Sequence, residues 1–118
     1  MAKVLVVDDA AFMRMRCKKL LTQSGHDVIE AATGSQAVEM YQSDKPDMVL
    51  LDITMPDMDG LTALREIRKI DPDACVAMVT AMRQHSMVVE ALKAGAKDFV
   101  IKPFDQDRVL AAIKKLLA

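Results

Sequence analysis

The chain has 118 residues, of which 52% are hydrophobic and 28% charged, with a net charge of −1. A chain of this size buries about two-thirds of the surface it exposes unfolded, enough for one real core, and its composition excludes intrinsic disorder. The near-neutral balance also excludes the overall basic field expected of a nucleic-acid binder.

Short apolar runs alternate with longer stretches of helical spacing. Lys3–Val7 is a continuous Val/Leu run and reads as a strand with both faces buried. Ala10–Gln23 has helical spacing and ends before Gly25, and Asp27–Glu30 is a short strand flanked by charge, as an edge strand should be. A helix over Ser35–Ser43 follows Gly34 and stops before Pro46. Met48–Leu51 is a second continuous apolar strand, and the helix Leu61–Ile70 lies between the breakers Asp59-Gly60 and Asp71-Pro72. The rest reads as a strand at Cys75–Val79, a helix at Gln84–Ala94 closed by Gly95, a strand at Phe99–Ile101, then Pro103 and a helix at Asp105–Leu117. Five strands alternating with five helices predict an α/β fold: a doubly wound parallel sheet in the order 2-1-3-4-5, covered on both faces, with right-handed crossovers.

The polar residues gather where such a sheet binds ligands. Asp8 and Asp9 follow the first strand, Asp52 ends the third, Thr80 the fourth and Lys102 the fifth, so all five fall on the carboxyl rim. Singly, each has a plainer explanation: Asp9 as N-cap of the first helix, Asp52 as a turn cap, Thr80 as cap of the fourth helix, Lys102 as a solvated lysine. Together they are harder to explain away. Three crowded carboxylates raise one another's pKa unless a cation sits among them, and magnesium, with its preference for hard oxygen ligands, is the economical choice. A metal and an ammonium beside a carboxylate on a central strand point to phosphoryl chemistry with Asp52 as nucleophile.

Other features are weighed against this. Met13, Cys17, Leu20 and Leu21 form the expected core stripe of the first helix, leaving Phe12 and Met15 exposed beside the rim as a docking spot for kinase or phosphatase helices. Cys17 and Cys75, far apart and without a CxxC pair, read as reduced, buried, small apolar residues of a cytoplasmic protein. The ten methionines are expected to fill the core, and His26 and His85 have no partner at metal-ligand spacing. Lys93, Lys97, Lys114 and Lys115 gather in the last third, a basic rim suited to an acidic target peptide. The apolar run Val4–Val7 is too short for a signal peptide, and nothing approaches the roughly 20 apolar residues that span a bilayer. One domain over residues 1–118 is expected; the last residues still look helical, so an output domain would have to begin beyond them.

The stretches Val-Asp-Asp at 7–9, Leu-Asp-Ile-Thr-Met-Pro-Asp-Met-Asp-Gly at 51–60, Val-Thr-Ala at 79–81, Lys-Ala-Gly-Ala at 93–96 and Ile-Lys-Pro-Phe at 101–104 resemble, in order and spacing, the receiver domain of two-component response regulators. Asp-Asp-Ala-Ala-Phe-Met-Arg-Met at 8–15 is similar to the single-domain chemotaxis members in particular. The resemblance implies a flavodoxin-like fold and a signalling switch, with Asp52 accepting phosphate from a sensor histidine kinase of the CheA type. Asp8, Asp9, Asp52 and the backbone carbonyl of Thr54 would hold Mg2+, with Asp8 acting through water. Lys102, Thr80 and the amide of Ala81 would meet the phosphoryl oxygens, Lys102-Pro103 would be a cis peptide, and Thr80 and Phe99 would form the switch. Phe99 stands where many members carry tyrosine, so it lacks the phenol hydroxyl; Thr54 and Met82 border the route of attacking water.

The implied partners are the kinase, a phosphatase and the flagellar motor switch, with no direct nucleic acid, no membrane insertion and a monomeric state. No enzyme acting on an outside substrate is implied, only promotion of its own phosphorylation and dephosphorylation. Three alternatives remain: a receiver module of a longer regulator with an enzymatic or DNA-binding output, an aspartate-based phosphatase, and an FMN carrier. The phosphatase would need a cap that this chain has no segment to supply, and Asp8-Asp9 would repel the phosphate of FMN.

Overall fold

The computed structural model describes residues 2–53, 58–81, 85–102 and 106–117. In chain order the elements are β1 (Lys3–Val7), α1 (Ala11–Gln23), β2 (Asp27–Ala31), α2 (Gly34–Asp44), β3 (Met48–Asp52), α3 (Gly60–Ile70), β4 (Val76–Ala81), α4 (His85–Lys93), β5 (Asp98–Lys102) and α5 (Gln106–Leu117). All pairings are parallel, and the strand order is β2-β1-β3-β4-β5, as the sequence predicts. Among the described residues, no helix is long and apolar enough to cross a membrane.

Alternation along the strands divides the interior into two cores. Leu5, Val7, Val49, Leu51, Val76 and Met78 pack on one face with Ala63, Leu64 and Ile67 of α3 and Val88 of α4. Val4, Val6, Met48, Leu50, Ala77, Val79 and Val100 pack on the other with Cys17 and Leu21 of α1 and Val109, Ala112 and Ile113 of α5. Every residue of β3 is buried, which explains its unbroken apolar run, whereas β2 at the edge is mostly half-buried. Of the expected α1 stripe, Cys17 and Leu21 are buried and Leu20 packs against them, while Met13 is half-buried and lies outside both cores.

Observed strands run further toward their carboxyl ends than the apolar runs alone indicate. β4 continues through Thr80 to Ala81 and β5 through Lys102, because backbone ladders persist after the hydrophobic signal stops. Gly34, read from sequence as a separator, is the first residue of α2. Its N-cap Thr33 accepts from the Gln36 amide at 3.1 Å, and Gln36 Oε1 in turn accepts from the Ala32 amide at 2.8 Å.

Both cysteines are free, but only Cys17 is buried; Cys75 is half-buried, with Sγ 3.9 Å from Lys97 Nζ. Burial pushes the Cys17 thiol up to about 11, with the nearby Asp8 charge adding to the effect, which leaves it protonated at neutral pH. His26 is half-buried, and its Nδ1 accepts from the Ala2 amide at 3.2 Å.

Tyr41 on α2 donates to Asp71, the C-cap of α3, across 2.8 Å and ties the two helices together at the end of the sheet remote from the polar rim. This hydrogen bond holds the Asp71 carboxyl below its ordinary 3.8, so its contribution is present above that pH and is lost as pH falls through the lowered value. Tyr41→Phe is expected to lower stability by about 1 kcal/mol at pH 7, and by less at pH 3. Urea unfolding at the two pH values measures the difference.

Candidate functional site

The carboxyl rim assembles from four strand ends. The ladder pair Val7–Leu51 puts Asp8 and Asp52 side by side one residue further on, and Asp52 itself pairs with Val79. Ala81 pairs with Lys102, which brings the ends of β4 and β5 level. Asp8, Asp52 and Lys102 fall in the same alternation as Val6, Leu50 and Val100, on the α1/α5 side. Thr80 and Phe99 fall on the other side, with the core beneath α3 and α4.

Asp8, Asp9 and Asp52 each offer a carboxylate oxygen, and the three lie within 4.8 Å of one another. Asp8 and Asp52 are buried, whereas Asp9 is exposed. Lys102 Nζ is 3.0 Å from Asp8 Oδ2 and 3.4 Å from Asp52 Oδ2, with its side chain 25% exposed. Burial works against the charge on Lys102, but the hydrogen bond to Asp8 and the charges of Asp52 and Asp8 outweigh it and raise its pKa above the ordinary 10.5. The ammonium therefore persists throughout the neutral range.

Local geometry removes the plainer explanations for Asp9, Thr80 and Lys102. The N-cap of α1 is Ala10, not Asp9, and Asp8 Oδ1 accepts from the Ala10 amide at 2.9 Å in a turn that starts the helix. Thr80 is a strand residue, 1% exposed, and the strand continues through Ala81, so it does not cap the fourth helix. Lys102 is an ion-paired rim residue rather than a solvated one. Among the described residues, one ammonium against three carboxylates leaves this cluster net negative, and its all-oxygen donor set fits a hard divalent cation. Phe99 is half-buried against the α4-side core, while its amide donates to Asp98 Oδ1 at 2.8 Å. Thr54, Met82 and Pro103 lie outside the described residues, so the backbone ligand, the water-route residues and the cis peptide expected there are not described.

Gly60 has a role that its reading as a turn breaker misses. A Cβ there would lie 2.1 Å from the carbonyl oxygen of Asp52 and 2.7 Å from Ile53 Cα, and the Gly60 amide donates to the Ile53 carbonyl at 2.7 Å. The amino end of α3, capped by Asp59 accepting from the Thr62 amide at 2.7 Å, thus presses directly on the backbone of Asp52. Gly34 makes a similar approach from α2, where a Cβ would meet the Met58 carbonyl oxygen at 2.4 Å. A glycine directly after a helix N-cap is the signal that could have flagged this contact.

Comparison with known proteins follows the same lines. The response regulator receiver domain family matches residues 4–114. "Chemotaxis protein CheY" of Bacillus subtilis (strain 168) is 57% identical over 116 residues, covering 98% of this chain and 97% of that protein. The protein of the same name from Thermotoga maritima is 54% identical over 115 residues, covering 97% and 96% respectively. Among solved structures, the CheX-CheY-BeF3-Mg2+ complex from Borrelia burgdorferi superposes with a TM-score of 0.93 at 38% identity, covering 98% of this chain and 89% of that one.

Gly60→Ala is expected to destabilise the protein by about 1–3 kcal/mol, because backbone rather than a flexible side chain occupies the space. Urea unfolding measures the loss, and an unchanged midpoint would mean that α3 can retreat from Asp52 without cost.

Proposed function

The chain belongs to the response regulator receiver-domain family, and from that premise we propose that Asp52 is the phosphoacceptor of this signalling switch. Its relatives at 54–57% identity are chemotaxis proteins named CheY, and the chain is a phosphorylation-dependent signalling protein closely related to them rather than a member of a catalytic enzyme family. The observation that carries the residue assignment is the placement of Asp52. It is buried on a central strand, within 4.8 Å of two further carboxylates and 3.4 Å from the Lys102 ammonium.

In the proposed reaction an Asp52 carboxylate oxygen attacks the phosphorus of a phosphohistidine. An O–P bond forms and the P–N bond breaks. The imidazole nitrogen keeps the electron pair and leaves as the neutral ring, its other nitrogen carrying the proton. Lys102, already in contact with Asp52, shifts its ammonium onto the phosphoryl oxygens, and the Thr80 hydroxyl and Ala81 amide donate to the others. Asp8, Asp9 and Asp52 would hold Mg2+, which supplies charge neutralisation of the phosphoryl group. That assignment is supported by the presence of magnesium in the Borrelia burgdorferi complex. Hydrolysis by water then returns Asp52 to the carboxylate with release of inorganic phosphate.

The output is a shifted balance between two conformations, with Thr80 drawn toward the phosphoryl group and Phe99 following on the same side of the sheet. A CheA-type histidine kinase upstream, the flagellar motor switch, a phosphatase or a CheX-like protein as partner, a monomeric state and a cytoplasmic setting are the readings that CheY kinship favours. Phe12 and Met15, 63% and 60% exposed on α1 beside the rim, offer an apolar contact for the helices of such a kinase.

Incubation with acetyl phosphate and magnesium is expected to add one phosphate by intact mass, decaying with time and missing in Asp52→Asn. An unchanged adduct in that variant would overturn the assignment. Phe12→Ala with Met15→Ala is expected to slow transfer from the histidine kinase while leaving labelling by acetyl phosphate unchanged, as followed by radiolabel transfer.

A further inference from the structure

Asp8 is held from outside the rim by a strut that neither the strand ends nor the acidic cluster accounts for. Arg14, near the start of α1, donates from Nη1 to the main-chain carbonyl oxygen of Asp8 at 2.7 Å. Its Nε faces Oε1 of Glu30, on the edge strand β2, at 3.3 Å. The arginine side chain is 19% exposed and the glutamate 34%, so the pair lies largely within the seam between α1 and β2. Asp8 is thereby fixed at four points. Its amide donates to the Ala31 carbonyl at 3.2 Å, Arg14 grips its carbonyl, the Ala10 amide holds Oδ1, and Lys102 holds Oδ2.

We propose that Arg14, braced by Glu30, is a positioning residue that sets the orientation of the Asp8 carboxylate for a divalent cation. The proposal rests on the reading that the acidic rim takes magnesium. Asp8 is the first residue after β1, where the ladder to β3 ends; its amide is still bonded to Ala31, and Arg14 supplies an anchor for its carbonyl. A planar guanidinium suits the task because its fork presents one N–H to the carbonyl and another to the brace at a fixed angle, which an ammonium cannot do. Outer partners that orient a metal's carboxylates tune its affinity without touching it. Lys18 supplies an internal control: its Nζ also faces Glu30, at 3.8 Å, but it is 56% exposed and has no contact with Asp8 among the described interactions.

The test is a titration with MgCl2 followed by amide chemical shifts, together with the magnesium dependence of labelling by acetyl phosphate. Arg14→Ala is expected to weaken magnesium binding by about tenfold. Its labelling rate at saturating magnesium should stay near that of the unsubstituted protein. Glu30→Gln should shift the midpoint in the same direction by less, Arg14→Lys should lie between, and Lys18→Ala should not move it. Magnesium affinity unchanged in Arg14→Ala would overturn the proposal. So would an equal loss in Lys18→Ala, which would mark a general effect of removing positive charge. If the unsubstituted protein shows no magnesium-dependent shifts at Asp8 or Asp52, the functional reading itself fails and takes this proposal with it.

Discussion

Three carboxylates held within 4.8 Å of one another impose the constraint to which the rest of this molecule answers. At the effective dielectric of a protein, two unit charges at that separation repel by roughly 3 kcal/mol, less where one of them is as exposed as Asp9. No local segment would hold such a group together unaided. Lys102 offsets part of the repulsion from 3.0 and 3.4 Å, and its raised pKa is the same interaction seen from the ammonium. The backbone supplies the remainder. Asp52 is locked in a ladder between buried strands, and Asp8 is fixed through both main-chain atoms and both carboxylate oxygens.

That rigidity has a consequence for signalling, because strand alternation sorts the polar residues onto two sides. The charged group lies toward α1 and α5, while Thr80 and Phe99 lie toward α4. β4 and β5 connect the two sides: Thr80 is one residue beyond Val79, the ladder partner of Asp52, and Phe99 sits three residues before Lys102 on the same strand. In the proposed switch, a change in charge at Asp52 would reach the α4 side through two strands already bonded to each other. A half-buried Phe99 is suited to respond, since its ring has room to become more buried or less.

The fold was legible because burial on two sides writes itself into sequence: Val4–Val7 and Met48–Leu51 carry no polar residue, and the charge flanking Val28–Ile29 marks the edge strand. The rim was legible through convergence, since each polar strand-end residue has a plainer use singly but the doubly wound order delivers all of them to one edge. Less was readable where function depends on contact between distant segments. Gly34 and Gly60 look like breakers, and their close approach to Met58 and Asp52 follows only from where α2 and α3 dock. Arg14 and Glu30 lie 16 positions apart on different kinds of element, so no periodicity links them. Cys75, expected to be buried because small apolar residues are usually interior, is half-buried: it precedes β4 where the sheet meets solvent.

The position of Lys102 also bears on how phosphorylation can proceed without a large rearrangement. Before reaction its ammonium is shared between Asp8 and Asp52, nearer the former. In the proposed reaction, phosphorylation of an Asp52 oxygen to an acyl phosphate would move negative charge outward onto the phosphoryl group, so the ammonium would gain a stronger partner within reach of the site it already occupies. Asp8, losing part of that contact, would be left with excess charge in a buried position, 6% exposed. A divalent cation in the same cluster would resolve this, which would make metal and lysine complementary rather than redundant. A brace from Arg14 on the Asp8 backbone would suit that exchange: the carboxylate would serve an ammonium in one state and a cation in the other, without its backbone turning between them.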